Sequence, residues 1–273
     1  MIDCVIFTKD RACQLDALLR SINDNFKELT NITIIFKASN PNFLKGYKIL
    51  HRKFPKYRWV VENNLISDIK NVVSGFSQTY CMMFVDDEMV IRDQPIIKPL
   101  SLLAQKPQIH CLSLRMGTNV NYTYTASMES PPPPFTKYSH DDTVLHQWEW
   151  GKLNGNADWG YPSCVNSHLY RTSFFKPLIV NMTYKTVNAM EGAFNGNRPK
   201  FPPHMICFTE PKTISVANNV VQNNKSRNSN KPEFTPESLN KKFLDGNVID
   251  IKQFYNLKIN MATFDKDYTF IKE

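Results

Sequence analysis

Apolar runs alternate with amphipathic segments over the first 90 residues of the chain. One amphipathic segment carries Leu15, Leu18, Leu19 and Ile22 at helical spacing, and further helices are predicted at 46–54 and 67–76. Four intervening runs have the apolar and β-branched character of buried strands: 2–8 (IDCVIFT), 32–36 (ITIIF), 58–62 (RWVVE) and 80–85 (YCMMFV). Strands that alternate with helices predict βαβ units, and therefore an α/β fold with a mainly parallel sheet flanked by helices.

The second half of the chain has a less regular pattern. A strand is predicted at 108–115, and the run Pro131–Pro134 requires an extended loop. Residues 148–164 have the Trp, Gly, Tyr and Asn content of a binding loop, and Asn223–Pro232 is predicted to be a mobile polar loop. From Thr235 to Glu273 we expect a short helix and one or two strands. No internal repeat or linker divides the chain, so we predict a single domain over 1–273.

Composition and the cysteines narrow the class of protein. The hydrophobic fraction of 42% is that of a globular protein, and the N-terminal MIDCVIFTKDR lacks the character of a signal peptide. No run approaches the ~20 apolar residues of a membrane span, so we expect a cytoplasmic location. Six cysteines without a C-x-x-C pair indicate core residues or incidental thiols rather than a zinc ribbon or disulfide framework: Cys4, Cys13, Cys81, Cys111, Cys164 and Cys207.

The net charge of +8 requires an explanation in terms of partners. Nucleic acid, an anionic membrane surface and a phosphorylated small substrate are the three kinds of partner that would account for it. The basic residues are spread along the chain apart from a cluster near Lys225–Lys231, and no zinc-finger or RRM signature accompanies them. We therefore expect a solvated basic surface, no nucleic-acid partner, and at most a peripheral contact with a membrane.

Polar clusters follow three of the predicted strands. Lys9–Arg11, Lys37–Asn40 and Asp86–Glu88 each come directly after an apolar run. Because ligands of parallel α/β sheets bind at the carboxyl ends of the strands, these clusters are expected to converge on one site.

Three consecutive carboxylates, Asp86, Asp87 and Glu88, form the strongest of these clusters. Mg²⁺ and Mn²⁺ take oxygen ligands, and one or two protein carboxylates commonly hold a metal that is already chelated by a diphosphate. The metal would neutralise charge on a leaving phosphate. The alternative is an acidic turn that only caps the next element.

Together these segments resemble the GT-A glycosyltransferases, including bacterial and viral members like those of family 2. The resemblance rests on VIFTKDR after the first strand, the helix segment QLDALLRSI, and FVDDEMVI, with further similarity at Trp159–Thr172, Asn188–Gly192 and Asn218–Gln222. It implies a GT-A-like fold with a nucleotide-binding half at 1–95 and an acceptor-binding half at 96–273. It also implies transfer from a nucleotide-diphosphate sugar, a UDP- or GDP-sugar, with Mn²⁺ or Mg²⁺, to a glycan or glycoconjugate acceptor.

The acidic cluster reads D-D-E where the family has a DxD-type motif. This departure leaves open whether Asp87 or Glu88 is the direct metal ligand, with Asp86 on the ribose or on a metal-bound water. His168 is a further candidate ligand, and His204 a weaker one, because neutral imidazole suits Mn²⁺. A lone histidine also suits a structural role.

The resemblance implies a carboxylate base downstream of the acidic motif if transfer is inverting. Glu191 is the candidate, because a base must remove the proton of the attacking hydroxyl, and Asp158 is the reserve candidate. A retaining reaction on the same fold would not use Glu191 as a base, and a solvated helix Glu191 is the structural alternative.

Donor contacts are expected from the ends of the first two strands. Arg makes bidentate bonds to phosphate and Lys contributes a point charge, although any of these cations also suits a surface role. The residues expected to contact the nucleotide are Thr8, Lys9, Asp10, Arg11, Lys37, Ser39, Asp68, Lys70 and Asp86.

Aromatic residues cluster in the predicted binding loop. Sugars stack their C–H faces on aromatic rings, so an acceptor platform is one interpretation and a core beneath a long loop is the other. The residues concerned are Trp148, Trp150, Trp159, Gly160 and Tyr161.

Other catalytic motifs are missing from the sequence. It contains no G-x-x-x-x-G-K-[ST], no G-x-S-x-G and no H-E-x-x-H. A non-catalytic module that binds nucleic acid or glycan is the alternative from a different class. Frequent Asn, Lys and Ile suggest an AT-rich and viral source, in which case the location would be the cytoplasm of a host cell.

Overall fold

The computed structural model describes residues 2–93, 95–140, 142–153, 157–221 and 231–273. Its strands are β1 (Ile2–Lys9), β2 (Asn31–Lys37), β3 (Arg58–Val61), β4 (Tyr80–Val85), β5 (Glu88–Val90), β6 (Ile109–Gly117), β7 (Tyr122–Thr123), β8 (Met128–Glu129), β9 (Thr136–His140), β10 (Thr143–Glu149), β11 (His168–Arg171), β12 (His204–Phe208), β13 (Thr213–Val216), β14 (Asn247–Ile249), β15 (Thr263–Phe264) and β16 (Phe270–Lys272). Its α-helices are α1 (Ala12–Asn25), α2 (Pro41–Lys53), α3 (Leu65–Ser74), α4 (Ile97–Gln105), α5 (Thr172–Asn181), α6 (Val187–Asn195) and α7 (Pro236–Leu244).

A nine-stranded sheet, in the order β3-β2-β1-β4-β11-β6-β12-β10-β9, runs through the described residues. Seven of the nine strands share one direction, and β10 and β11 run in the opposite direction. The predicted α/β fold with a mainly parallel sheet is therefore confirmed.

Strand β1 lies inside the sheet and shows why both faces are covered. Ile6 belongs to the hydrophobic core on one face, whereas Val5 and Phe7 belong to the core on the other. Successive side chains of a strand point to opposite faces, so a strand that is buried over seven of its eight residues needs cover on both sides. Residues of α1, α2, α4 and α7 pack into the first core, and residues of α3, α5 and α6 into the second.

The first half follows the sequence pattern closely, and the second half holds additional elements. The predicted strand at 80–85 coincides with β4, while the helix predicted at 46–54 begins five residues earlier as α2. Helices α4, α5 and α6 and strands β9 to β12 have no counterpart among the predictions. The C-terminal part contains α7 and three short strands, and residues 223–230 of the predicted mobile loop lie outside the described residues.

The six cysteines are free and buried, as expected of core residues. Within the described ranges, no helix has both the length and the hydrophobicity that crossing a bilayer requires.

Candidate active site

A cavity of about 1150 Å³ opens at the carboxyl ends of β1, β2 and β4. The turn after β1, the end of β2 and the acidic turn after β4 all contribute to it, because the ends of parallel strands meet at one edge of a sheet. The predicted site residues among its lining are Thr8, Lys9, Arg11, Lys37, Asp86, Asp87, Asp158, Tyr161 and Glu191. Five of the nine candidate donor residues and both candidate bases therefore share one cavity.

Arg11 joins the two aspartates of the acidic turn. Its Nη1 lies 2.9 Å from Asp86 Oδ1 and 3.1 Å from Asp87 Oδ2, and the backbone N–H of Lys9 donates to Asp86 Oδ2 at 3.2 Å. Burial raises the pKa of Asp86 to about 6, against the opposing charge of Arg11. The guanidinium thus holds both carboxylates at the cavity wall.

Asn219 accepts two further hydrogen bonds from the guanidinium of Arg11. Arg11 Nε donates to Asn219 Oδ1 at 2.8 Å and Nη2 donates to its backbone oxygen at 2.6 Å. The side-chain amide of Asn219 donates to the oxygen of Phe234 at 2.6 Å. The motif Asn218–Gln222 is therefore tied to the acidic turn through Asn219, whereas Gln222 lies outside the described residues.

Glu88 faces away from the cavity, so its assignment as a metal ligand is wrong. The side chain is fully buried and accepts hydrogen bonds from Val85 N at 2.9 Å and from the Ser167 hydroxyl. Burial raises the pKa of Glu88 well above its usual range. The third acid of the D-D-E cluster connects the end of β4 to the segment before β11.

His168 also lies away from the cavity, and its assignment as a metal ligand is wrong as well. The ring is 1% exposed and its Nδ1 lies 3.1 Å from the backbone oxygen of Asn166. Burial, followed by the charge of Arg115, lowers the pKa of His168 to about 3. His168 therefore has a structural role inside the protein. His204, on β12, does not line the cavity either.

Glu191 lines the same cavity from the middle of α6. The Tyr161 hydroxyl and the Val165 N–H interact with its carboxylate. Burial raises the pKa of Glu191, and Asp158 raises it further, while Tyr161, Arg115 and Val165 oppose the shift. A partly desolvated carboxylate with an elevated pKa is suited to accept a proton near neutral pH.

Arg115 is a site residue that the sequence reasoning missed. It stands in the otherwise uncharged strand β6, lines the cavity, and places Nη2 at 3.1 Å from Asp158 Oδ1. Its Nη1 lies 3.6 Å from Cys164 Sγ. The signal was an arginine in a buried strand (IHCLSLRMG), because a buried charge requires a partner.

Three of the expected acceptor residues are core residues. Trp148, Trp150 and Trp159 are each under 5% exposed, and Trp148 and Trp159 meet edge to face at 4.9 Å between ring centroids. The indole N–H of Trp148 donates to the Trp159 backbone oxygen at 2.9 Å. The acceptor platform is therefore wrong for these rings and for the buried Gly160, and Tyr161 alone among the five lines the cavity.

Asp10 and Ser39 are hydrogen-bonded to each other and do not line the cavity. The Asp10 carboxylate accepts from the backbone N–H of Ser39 at 2.7 Å and from its hydroxyl, which joins the ends of β1 and β2. Asp68 caps α3 by accepting from Asn63 N and Asn64 N at 2.8 and 2.9 Å. Neither Asp68 nor Lys70 is part of the cavity lining, so their assignment to the nucleotide does not fit this geometry.

The donor set decides what kind of metal would fit. Among the described residues, no group of three or more His, Cys, Asp or Glu side chains is placed to hold an ion. Asp86 and Asp87 provide two carboxylates at the cavity wall, and a magnesium or manganese ion that bridges a diphosphate needs only one or two. The residues therefore fit a metal that is bound jointly with a diphosphate.

No protein-family model matches this chain. A curated relative, the bifunctional glycosyltransferase pgtA of Dictyostelium discoideum, is 24% identical over 247 residues, which cover 79% of this chain and 32% of pgtA. The chain thus spans about a third of the length of that relative.

Three solved structures are similar to this chain at TM-scores below 0.5. S. aureus TarS 1-349 in complex with UDP-GlcNAc has a TM-score of 0.44 at 8% identity and covers 77% of this chain and 56% of its own. The mannosyltransferase PcManGT from Pyrobaculum calidifontis, with GDP-Man and Mn²⁺, has 0.42 at 8%, covering 77% and 54%. A 4-diphosphocytidyl-2C-methyl-D-erythritol synthase has 0.41 at 7%, covering 74% and 85%. The resemblance to glycosyltransferases that the sequence motifs indicate is confirmed by the curated relative, which is itself a glycosyltransferase.

Proposed function

We propose that this chain is a glycosyltransferase that moves a sugar from a nucleotide-diphosphate sugar to an acceptor hydroxyl. One observation carries the proposal: a single cavity is lined both by the paired carboxylates Asp86 and Asp87 and by the carboxylate Glu191. The likeness to pgtA supports the same reaction class.

The donor would bind along the ends of β1, β2 and β4. Thr8, Lys9 and Lys37 line this part of the cavity and offer hydroxyl and ammonium groups to a ribose and a diphosphate. Asp86 and Asp87 would hold Mn²⁺ or Mg²⁺, which supplies charge neutralisation for the leaving diphosphate. Arg11 keeps the two carboxylates in place before the donor binds.

Glu191 is the proposed base of an inverting reaction. It takes the proton of the acceptor hydroxyl as that oxygen forms a bond to the anomeric carbon. The bond from this carbon to the diphosphate breaks, and the nucleoside diphosphate leaves with the electron pair. Asp158 is the weaker candidate, because its carboxylate is already paired with Arg115 at 3.1 Å.

Donor binding tests the proposal. Thermal stability would be measured with UDP, GDP, CDP and dTDP, each with Mn²⁺, Mg²⁺ or EDTA. A ligand that binds only the folded state at a hundredfold excess over its Kd stabilises by about 2.7 kcal/mol. We expect one nucleotide to raise the Tm in a metal-dependent way, and no shift with any nucleotide would contradict the donor site.

Product stereochemistry tests the mechanism separately. Once the donor is known, NMR of the product would give the anomeric configuration. An inverted centre supports Glu191 as the base, whereas a retained centre would keep the transferase assignment and reject that role for Glu191.

A further inference from the structure

One stretch of the chain carries most of its net charge. Residues 38–61 contain six Lys or Arg and no Asp or Glu, a charge of +6 out of the +8 of the whole chain. The stretch forms α2, the turn after it and the edge strand β3. Five of the six cations belong to α2 and the turn that follows it.

Close packing fixes which side of α2 faces outward. Phe43, Tyr47 and Leu50 are buried, and a Cβ at Gly46 would lie 2.7 Å from Asn240 Oδ1 and 2.8 Å from Ala12 Cβ. Helix α2 therefore packs closely against α1 and α7, and this packing keeps its lysines and arginines on the outer side. Four exposed cations of this stretch lie on α2 and the turn after it, and we call them the basic face: Lys45, Lys48, Arg52 and Lys56. Arg58 is left out because it alternates with Trp59 along β3 and so lies on the other side of the sheet, with Val60.

The basic face lacks the acidic partners that normally neutralise surface cations. Lys53 is the cation of this stretch that pairs, with Asp16 at 2.8 Å and with Glu273. Among the described residues, none of the four cations of the basic face lies within ion-pair distance of a carboxylate. Lys45 and Lys56 instead donate to the side chains of Asn42 and Asn23. Their charges are free to act on a partner.

The surroundings favour a membrane over a nucleic acid. Leu44, 37% exposed, lies on the same helix face, and Val61, 55% exposed, ends the neighbouring edge strand. Lysines and arginines beside exposed apolar side chains suit an anionic lipid surface, where charges meet headgroups and apolar groups enter the boundary. Nearby Phe54 and Tyr57 are buried, so they are unable to stack on bases.

We propose that the basic face docks this protein on an anionic phospholipid membrane. Helix α2 begins directly after the end of β2, whose Lys37 lines the cavity. Docking would therefore hold the cavity rim close to the membrane surface. The proposal does not depend on the transferase activity, since it concerns residues outside the cavity.

Vesicle binding tests the proposal. Sedimentation with vesicles of phosphatidylcholine and phosphatidylserine at 70:30 would be compared with pure phosphatidylcholine at 50, 150 and 500 mM salt. We expect binding only to the anionic vesicles and a steep decrease with salt. The triple variant K45Q/K48Q/R52Q should bind on the order of a hundredfold more weakly, at about fivefold per charge.

A matched variant removes three exposed lysines elsewhere, K137Q/K252Q/K258Q. It should bind the vesicles nearly as well as the unchanged protein, and both variants should keep the original Tm. Equal losses in both variants would overturn the proposal, because the charge would then act without a defined face. Duplex DNA that binds through the same three residues at 150 mM salt, without vesicle binding, would assign the face to nucleic acid and also overturn it.

Discussion

The two candidate bases differ in their closest charged neighbour. Arg115 Nη2 lies 3.1 Å from Asp158 Oδ1. Glu191 instead interacts with the hydroxyl of Tyr161, and Arg115 acts on it through the electrostatic effect of its charge. Because a base must be free to accept a proton, this difference favours Glu191 over Asp158. The environment of each carboxylate, and not its type, separates the two roles.

Replacing Glu191 tests the role of the base. Glu191→Gln keeps the size of the side chain but removes its basicity, so we expect kcat to decrease by about 10²- to 10⁴-fold with donor affinity nearly unchanged. Turnover and nucleotide binding would be measured on the same preparation. The exposed Glu28 provides the control Glu28→Gln, which should leave both unchanged. A loss of donor affinity equal to the loss of turnover would assign Glu191 to binding instead.

The pH profile tests how Arg115 and Asp158 act on Glu191. Glu191 must be ionised to act as a base, so activity should decrease as the pH decreases through its raised pKa. Arg115 lowers this pKa and Asp158 raises it. Arg115→Gln should therefore move the acidic limb of kcat/KM to higher pH and Asp158→Asn to lower pH, and Arg115→Lys should restore most of the original profile. Shifts in the same direction for both neutral variants would show that Glu191 does not control the limb.

At the scale of elements, the acidic turn between β4 and β5 divides its three acids between two tasks. Asp86 and Asp87 line the cavity, while Glu88 is bonded to Val85 N and to the Ser167 hydroxyl. Glu88→Ala would leave two buried donors unsatisfied and should lower the free energy of unfolding by about 2 to 4 kcal/mol. Glu88→Gln can still accept from Val85 N, so it should lower the free energy of unfolding by less than about 1 kcal/mol. Urea denaturation gives both values.

Asp87 provides the opposite behaviour on the same turn. Asp87→Asn should preserve stability but abolish the metal-dependent part of nucleotide binding, because an amide is a much poorer ligand for Mg²⁺ or Mn²⁺ than a carboxylate. Glu88→Gln should keep that binding, and Asp245→Asn, at an exposed site after α7, is the surface control. Metal-dependent binding that survives in Asp87→Asn and disappears in Glu88→Gln would reverse the assignment of the two acids.

The pattern of apolar residues predicted the elements that form the cavity floor, but not every side chain that faces the cavity. Strands β1, β2 and β4 have apolar, buried centres, and their carboxyl ends had to meet once the sheet was parallel. Whether Glu88 and His168 face the cavity depends on β5 and β11, whose partners are distant in sequence. Long-range pairing of this kind leaves no periodic signal in the chain. The burial of Trp148 and Trp159 has the same cause, because their partners lie in separate segments.

On the scale of the whole molecule, two sheets connect the two halves of the chain: the nine-stranded sheet and a three-stranded sheet in the order β15-β13-β5. Leu169 of β11 pairs with Met82 of β4, and Ile214 of β13 pairs with Met89 of β5. Helix α1 contacts both α7 and β14, and Arg20 donates to the backbone oxygen of Ile249. The half that was expected to bind the nucleotide therefore depends on residues from the other half for its core.

This dependence predicts that residues 1–95 alone do not form a stable domain. Without the second half, β4 and β5 would each lose a strand partner and buried side chains such as Met82, Phe84 and Met89 would meet water. Exposing a buried apolar side chain of this size costs about 1.5 to 3 kcal/mol, and a domain of this length is stable by only about 5 to 15 kcal/mol. We expect the fragment to lack a cooperative urea transition and dispersed amide NMR signals, whereas the full chain should unfold in a single transition. A fragment that unfolds cooperatively and binds the same nucleotide would instead establish 1–95 as an independent nucleotide-binding domain, and the acceptor half would then be a separate addition to it.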